Sequence, residues 1–141
     1  MNLSCCGFSM ADPFNIRPVT RDDAWTLFEW RNDESTRKMF KNSDYVQWDD
    51  HLNWLDRRLE MDRPDLFVFE QNGTPVATFR IDGRDLSYTV APEHRNRGIA
   101  KMMLREIRSR FGRLRAEIYS GNPASIAVAR DAGLEVIIID D

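Results

Sequence analysis

Apolar residues follow two different periodicities along this chain. In the middle, apolar and polar residues alternate, which is typical of β-strands. The strands that this alternation predicts are Leu66 to Gln71, Pro75 to Ile81 and Leu86 to Ala91. Asn72-Gly73 and Asp82-Gly83 separate them, and such dipeptides are typical of tight hairpin turns. The centre of the chain is therefore predicted to form an antiparallel meander.

Apolar residues three and four positions apart predict helices on both sides of the meander. Before it, one helix begins after Thr20, with Ala24, Leu27 and Phe28 on one face. A short strand, Asn15 to Val19, precedes that helix. A second helix, Trp48 to Met61, follows it. After the meander, helix and strand alternate over Gly98 to Phe111, Leu114 to Tyr119, Pro123 to Ala132 and Leu134 to Ile139.

This order of elements predicts one α/β (α+β) domain over residues 13–141. Its central sheet is expected to be mixed, mainly antiparallel and flanked by helices. A chain of 141 residues that is 42% hydrophobic has enough apolar surface for one core. Residues 1–12 carry no periodic pattern and are predicted to be a disordered tail.

Composition argues against several classes of protein. A net charge of −3 does not favour general binding to nucleic acid or to anionic membranes. No apolar run approaches the roughly 20 residues that span a bilayer, and the first residues lack the basic flank of a secretory signal. Cys5 and Cys6 are adjacent, and their spacing from His51 and His94 does not suit zinc. We therefore expect a cytoplasmic protein with no metal site and no nucleic-acid or membrane partner.

Positive charge is nevertheless concentrated in one segment. Between Glu93 and Arg113, seven Lys or Arg stand against two acids, and Gly98 opens a predicted helix just after a strand. Helix N-termini favour anions, and glycine lets a ligand approach the backbone closely. The loop matches neither the P-loop nor the dinucleotide-binding glycine pattern. From these residues alone, a phosphate-bearing ligand and a solvated basic helix face both stay open.

The pattern Arg95-x-x-Gly98-x-Ala100, between a strand and a helix, resembles the acetyl-CoA signature of the GNAT superfamily of N-acetyltransferases. The resemblance implies that backbone amides of this loop hold the pyrophosphate of acetyl-CoA. It also implies that the preceding strand pairs with the pantetheine arm. The implied cofactor-binding residues are Tyr88, Thr89, Val90, Arg95, Asn96, Arg97, Gly98, Ile99 and Ala100.

A second landmark of the same superfamily resembles the segment from Ala116 to Leu134. Asn122 and Ser125 fall at the family's positions, which implies that both contact the cofactor. Local chemistry offers another explanation for two residues of this segment. Asn122 before Pro123 is a good helix N-cap, and Gly133 is a good helix stop. The order of the two landmarks strengthens the resemblance, which covers nearly all of residues 14–140.

The N-terminal half resembles one branch of the superfamily. The segments FEWRNDESTRKMF and WDDHLNWL are similar to ribosomal-protein alanine acetyltransferases and, more closely, to acetyltransferases of amino-sugar nucleotides. This region lies where the superfamily builds its acceptor pocket. The implied substrate-binding residues are Trp30, Arg31, Asn32 and His51. A core position for Trp30 and a structural role for His51 stay open as alternatives.

Acyl transfer from a thioester to an amine needs a base for the amine and a donor for the developing oxyanion. We interpret Glu117, on the strand before Asn122, as the base. Asp85 or His51, acting through water, are the alternatives. By resemblance, a backbone N–H near Val90 stabilises the oxyanion.

Two departures from the family pattern leave alternatives open. Ala129 stands where many members have a Tyr that protonates the departing thiolate. Either Ser125 or ordered water replaces that Tyr as the catalytic acid, or the thiolate leaves unaided. After the last helix there is room for one strand, Leu134 to Asp141, where the family commonly has two. A homodimer that pairs this edge is therefore a hypothesis.

The leading interpretation is an acetyl-CoA-dependent N-acetyltransferase that transfers acetyl to a primary amine by direct attack in a ternary complex. The expected acceptor is a small molecule, an amino-sugar nucleotide before others, and a protein N-terminus is the second choice. A non-catalytic acetyl-CoA-binding module is the alternative from another class.

Overall fold

The computed structural model describes residues 13–40, 42–61 and 65–140. The predicted tail, residues 1–12 with Cys5 and Cys6, lies outside the described residues. The strands and helices within the described ranges are, in chain order, β1 (Phe14–Pro18), α1 (Ala24–Asn32), α2 (Glu34–Arg37), α3 (Trp48–Leu59), β2 (Leu66–Gln71), β3 (Thr74–Asp82), β4 (Asp85–Val90), α4 (Ile99–Phe111), β5 (Arg115–Tyr119), α5 (Pro123–Asp131) and β6 (Glu135–Ile139).

The strands form one six-stranded sheet in the order in which they follow along the chain. Strands β1 to β4 pair antiparallel, whereas β5 runs parallel to both β4 and β6. This confirms the predicted mixed, mainly antiparallel sheet. Asn72 and Gly73 both have positive φ, as the predicted hairpin turn requires. The second turn contains Gly83-Arg84, one residue later than predicted, because Asp82 pairs with Asp85.

Strands β4 and β5 separate along their length. Their pairing is confined to Asp85 and Arg115, and the Arg115 N–H donates to the Arg84 carbonyl at 2.7 Å. In contrast, β5 and β6 pair over all of Arg115 to Tyr119. Beyond the first pair, a cleft therefore opens between the carboxyl-terminal halves of β4 and β5.

Each face of the sheet carries its own apolar cluster, because side chains alternate along a strand. Phe69 of β2 belongs to the cluster that α4 contributes to with Met103, Leu104 and Ile107, all fully buried. Val68 of β2 belongs to the other cluster, with residues of α1 and α3. The helices are thus anchored on both faces, and the cleft lies at the junction of the two halves of the sheet.

The short helix α2 was not predicted from the apolar pattern. Asp33 caps it, because its carboxylate accepts the Thr36 N–H at 3.0 Å. Of the described part of the chain, β6 is the one strand after α5, as the sequence predicts. No helix within the described ranges is long and apolar enough to cross a membrane.

Candidate functional site

The cleft between β4 and β5 encloses a cavity of about 340 Å³. Its walls come from both strands and from the starts of α4 and α5. The lining includes every predicted cofactor-binding residue except Arg97, and both predicted catalytic residues: Tyr88, Thr89, Val90, Arg95, Asn96, Gly98, Ile99, Ala100, Glu117, Asn122 and Ser125. The sequence therefore placed most of its candidates around one cavity.

Unpaired backbone groups of β4 face this cleft. The Ala91 N–H donates to the Val76 carbonyl at 2.9 Å, so Ala91 bonds toward β3. Because consecutive residues of a strand direct their backbone groups to opposite sides, those of Val90 and Tyr88 point away from β3 and toward β5. Strand β5 does not pair with them. The Val90 carbonyl accepts the Arg95 Nε–H at 3.2 Å, so the groups available to an extended ligand are the Val90 N–H and the backbone N–H and carbonyl of Tyr88. The role predicted for the Val90 N–H stays a prediction.

The N-terminus of α4 forms one end of the cleft. Gly98 has φ +76° and Asn96 has φ 62°, so the loop turns sharply through the left-handed region. A Cβ at Gly98 would meet no atom within 4 Å, which means that it would project into open space. The Met102 N–H donates to the Gly98 carbonyl at 3.1 Å, so the N–H groups before Met102 have no intrahelical acceptor. This end of the cleft favours an anion.

The side chain of Arg95 does not point freely into the cleft. Its guanidinium donates to the hydroxyl of Ser35 at 2.9 Å and to the hydroxyl of Thr36, and its Nε donates to the Val90 carbonyl at 3.2 Å. Asp33 lies 4.0 Å away. Burial lowers the pKa of Arg95, and the charge of Asp33 opposes that shift. Arg95 therefore joins the loop before α4 to α2.

Asn122 and Ser125 lie at the start of α5, and Asn122 has the N-cap role that local chemistry predicts. The Asn122 side chain caps the helix by accepting the Ser125 N–H at 3.3 Å. The hydroxyl of Ser125 shares a short hydrogen bond with the hydroxyl of Tyr88. Burial raises the pKa of Tyr88, so this phenol is protonated at neutral pH. A hydroxyl pair with a proton to donate thus lines the cleft.

A second cavity, of about 250 Å³, lies beside the cleft. We call it the side cavity. It shares Phe40, Glu117 and Tyr119 with the cleft, so these side chains stand at the junction of the two spaces. The remaining lining residues, mostly polar, come from the end of α1, from α2 and the segment after it, and from β6: Arg31, Arg37, Asn42, Asp44 and Ile139.

Of the predicted substrate-binding residues, Arg31 lines the side cavity, and the other three line neither cavity. Trp30 is buried in the cluster between α1 and α3. Asn32 binds both backbone groups of Val46, at 2.8 and 2.9 Å, and so fixes the segment before α3. His51 is buried, and its Nε2 lies 2.9 Å from the Ala24 carbonyl. These contacts support the alternative interpretation, in which His51 has a structural role.

Asp85, the alternative base, lies where β4 and β5 still pair. It forms an ion pair with Arg115 at 2.7 Å, and the hydrogen bond from Arg115 lowers the pKa of Asp85. It lines neither cavity. Ala129 is fully buried, one helical turn after Ser125, so it offers no hydroxyl to the cleft.

Sequence reasoning missed Phe40 and Tyr119 as lining residues. Phe40 follows an unpredicted helix, and Tyr119 reads as an ordinary strand residue. Gly121 is the one local feature of the sequence that relates to the position of the Tyr119 ring. A Cβ at Gly121 would come within 2.3 Å of the Tyr119 ring, so glycine leaves room for that ring.

Comparison with known proteins agrees with this geometry. The family model for the acetyltransferase (GNAT) domain matches residues 14–135. The chain therefore belongs to the GNAT acetyltransferase family. It is an N-acetyltransferase by family, with acetyl-CoA as the cosubstrate, as predicted. No curated protein matches the chain in sequence.

Solved structures share the fold. Spermidine N-acetyltransferase from Vibrio cholerae, solved with CoA and spermine, superposes with a TM-score of 0.71 at 16% identity, covering 85% of this chain and 79% of that one. YncA from Salmonella typhimurium, solved with its cofactor acetyl-CoA, superposes with a TM-score of 0.60 at 26% identity, covering 85% of this chain and 78% of that one. Ribosomal-protein-alanine N-acetyltransferase from Brucella melitensis superposes with a TM-score of 0.62 at 28% identity, covering 84% of this chain and 83% of that one.

Proposed function

We propose that this protein transfers the acetyl group of acetyl-CoA directly to the primary amine of a small molecule, with both substrates bound at once. The observation that carries this proposal is the junction of the two cavities at Glu117. Acetyl-CoA occupies the cleft and the amine enters from the side cavity. The side cavity is at the small end of ligand pockets, which favours a small acceptor over a protein N-terminus. Of an amino-sugar nucleotide, the amino-sugar end matches this volume, and its nucleotide would extend out of the side cavity.

The cleft has the features that acetyl-CoA requires. The N–H groups at the start of α4 suit its pyrophosphate. The backbone groups of Tyr88 and the N–H of Val90, which point toward β5, suit its amide-containing arm. Gly98 leaves that end of the cleft open. When bound, acetyl-CoA supplies an activated acyl group as a thioester.

Glu117 is the proposed general base. It is exposed on β5 and lines both cavities, so its carboxylate can accept the proton that an ammonium substrate must lose. The N–H of Val90 is the proposed donor to the developing oxyanion. The amine nitrogen forms a bond to the acetyl carbon, the carbon–sulfur bond breaks, and the thiolate takes a proton.

The paired hydroxyls of Ser125 and Tyr88 are the proposed source of that last proton. Ser125 lies on the face of α5 that also carries Ala129, the position of the family's Tyr. The hydrogen bond between Ser125 and Tyr88 keeps both hydroxyls within the cleft. In this proposal the pair, with Ser125 on α5 and Tyr88 on β4, replaces the missing Tyr side chain at position 129.

Substitution Glu117→Gln tests the proposal. It removes the base and retains the shape, so we expect kcat to fall by about 10²- to 10⁴-fold, with the acidic limb of the pH–rate profile lost. Glu29→Gln is the control, since Glu29 is an exposed acid on α1 that lines neither cavity. Thiol release from acetyl-CoA is the assay. An unchanged kcat and profile in Glu117→Gln would contradict the assignment.

A non-catalytic acetyl-CoA-binding module is the second candidate, and Ala129 is the observation that favours it. The two candidates differ in turnover alone. A module binds acetyl-CoA but releases no thiol above background with any amine.

A further inference from the structure

The side cavity contains an arginine whose charge is not neutralised within the described residues. Arg31, exposed in the last turn of α1, lines the cavity and makes no hydrogen bond or ion pair with any of them. Its charged neighbour is another cation, Arg80, which is itself paired with Asp82 at 3.1 Å. Desolvation lowers the pKa of Arg31, and the positive charge of Arg80 lowers it further. The surroundings of Arg31 therefore favour an added anion.

The other arginine of the side cavity is already occupied. Arg37 donates to the Asn32 carbonyl at 3.1 Å and to the Ser43 carbonyl at 3.3 Å, and its guanidinium lies 5.9 Å from the centre of the Tyr45 ring. These contacts hold the segment after α2 against the end of α1. Arg37 builds the wall of the cavity, whereas Arg31 is available to a ligand.

The same cavity also has groups for an ammonium ion. Glu117 and Asp44 line it, and neither carboxylate forms an ion pair with the residues that the structure describes. A polycationic acceptor would bring more positive charge to Arg31 and Arg80. An amine that lacks an anionic group would displace water from the Arg31 guanidinium without giving it a hydrogen-bond partner, which costs free energy. An acceptor with both signs of charge avoids both penalties.

We propose that the acceptor is a small amine that also carries an anionic group, a carboxylate or a phosphate, and that Arg31 binds this group. The amine end then faces Glu117 at the junction of the cavities. A guanidinium suits either anion, because it donates two parallel N–H bonds to a pair of oxygens. This inference rests on the acetyltransferase function proposed above and narrows its substrate class.

A cation near a helix C-terminus also stabilises the helix dipole, which is a purely structural role for Arg31. Arg57 provides a matched control for that role. It is exposed in the last turn of α3, forms no ion pair with the described residues and lines neither cavity. Arg31→Gln and Arg57→Gln make the same change in charge at equivalent helix positions.

The test measures thiol release from acetyl-CoA for matched pairs of amines. Each pair is an amino acid and its amide, so that the amine is shared and the carboxylate is removed. Aminoalkyl phosphates and an amino-sugar phosphate form a second arm that separates phosphate from carboxylate. Spermidine represents polycations. We expect amines that carry an anionic group to have a kcat/KM about ten- to hundredfold above those that lack one. Arg31→Gln should abolish this preference by raising KM for the amines with the anionic group.

Arg57→Gln should keep the preference. The inference is overturned if amides or spermidine are used as well as the anionic amines, or if Arg31→Gln leaves KM for anionic amines unchanged. It is also overturned if amides or spermidine release thiol from acetyl-CoA and no amine with an anionic group does. A failure of the underlying function looks different, because then no amine of any class releases thiol, whether or not acetyl-CoA raises Tm.

Discussion

Gly98 and Gly73 provide a matched pair of substitutions for testing the cofactor loop. Gly98 has φ +76° and Gly73 has φ +78°, and an added Cβ meets no atom within 4 Å at either position. Alanine is disfavoured at such φ values, so each substitution should destabilise the fold by about 1 to 2 kcal/mol. The two sites differ in surroundings. Gly73 lies in a hairpin turn, whereas Gly98 lines the cleft at the start of α4.

The predicted difference appears when acetyl-CoA is added. At 100 times its dissociation constant, a ligand stabilises the native state by about 2.7 kcal/mol. Gly73→Ala should retain this increment in full. The Cβ in Gly98→Ala narrows the approach to the α4 N–H groups, and a tenfold loss of affinity would reduce the increment to about 1.4 kcal/mol at the same concentration.

Urea unfolding of the three proteins, with and without acetyl-CoA, measures both quantities. Equal destabilisation without ligand establishes that the backbone strain is matched. If Gly98→Ala then gains as much from acetyl-CoA as Gly73→Ala does, the loop does not contact the ligand closely. That result would refute the assignment of the cleft as the cofactor site.

Two further predictions concern residues that the sequence assigned to ligands. Burial lowers the pKa of His51, the hydrogen bond with the Ala24 carbonyl opposes this, and the charge of Arg31 adds to it. The unfolded chain therefore binds the proton first as pH falls below about 6.5, and stability should decrease there by at most about 1.4 kcal/mol per pH unit. Urea titrations at several pH values should show a flatter dependence in His51→Gln, and an equal slope would contradict the reasoning. For Arg95, we expect Arg95→Lys to raise the KM of the amine, because lysine keeps the charge but cannot bridge Ser35 and Thr36. If Arg95→Lys leaves the KM of the amine unchanged, the charge of Arg95 matters and its link to α2 does not.

The elements themselves were largely readable from the sequence, because helices and strands depend on neighbours only a few residues away. The alternation over β2 to β4 and the Asn72-Gly73 turn predicted the meander. Asn122 before Pro123 predicted the start of α5, and its side chain does cap that helix. The loop around Gly98 was recognisable for the same reason, since its glycine and the following helix are local features.

The tertiary structure decided what the candidate residues do, because their partners are distant in sequence. Arg95 contacts Ser35 and Thr36, which lie 60 and 59 residues away, and no periodicity predicts such contacts. The cleft depends on β4 and β5 pairing at a single position, Asp85 with Arg115, and this separation cannot be read from the sequence of either strand.

The same holds for the acceptor side of the site. Arg31 and Asn32 are adjacent in the sequence, yet Arg31 lines the side cavity and Asn32 holds Val46. Consecutive side chains of a helix point in different directions, so the orientation of α1 assigns one to the ligand space and the other to the wall. The sequence by itself therefore determined the family and, apart from α2, the elements, and it predicted the cofactor-binding loop. The packing of α1 and α2 against the open sheet determined which charges line the side cavity.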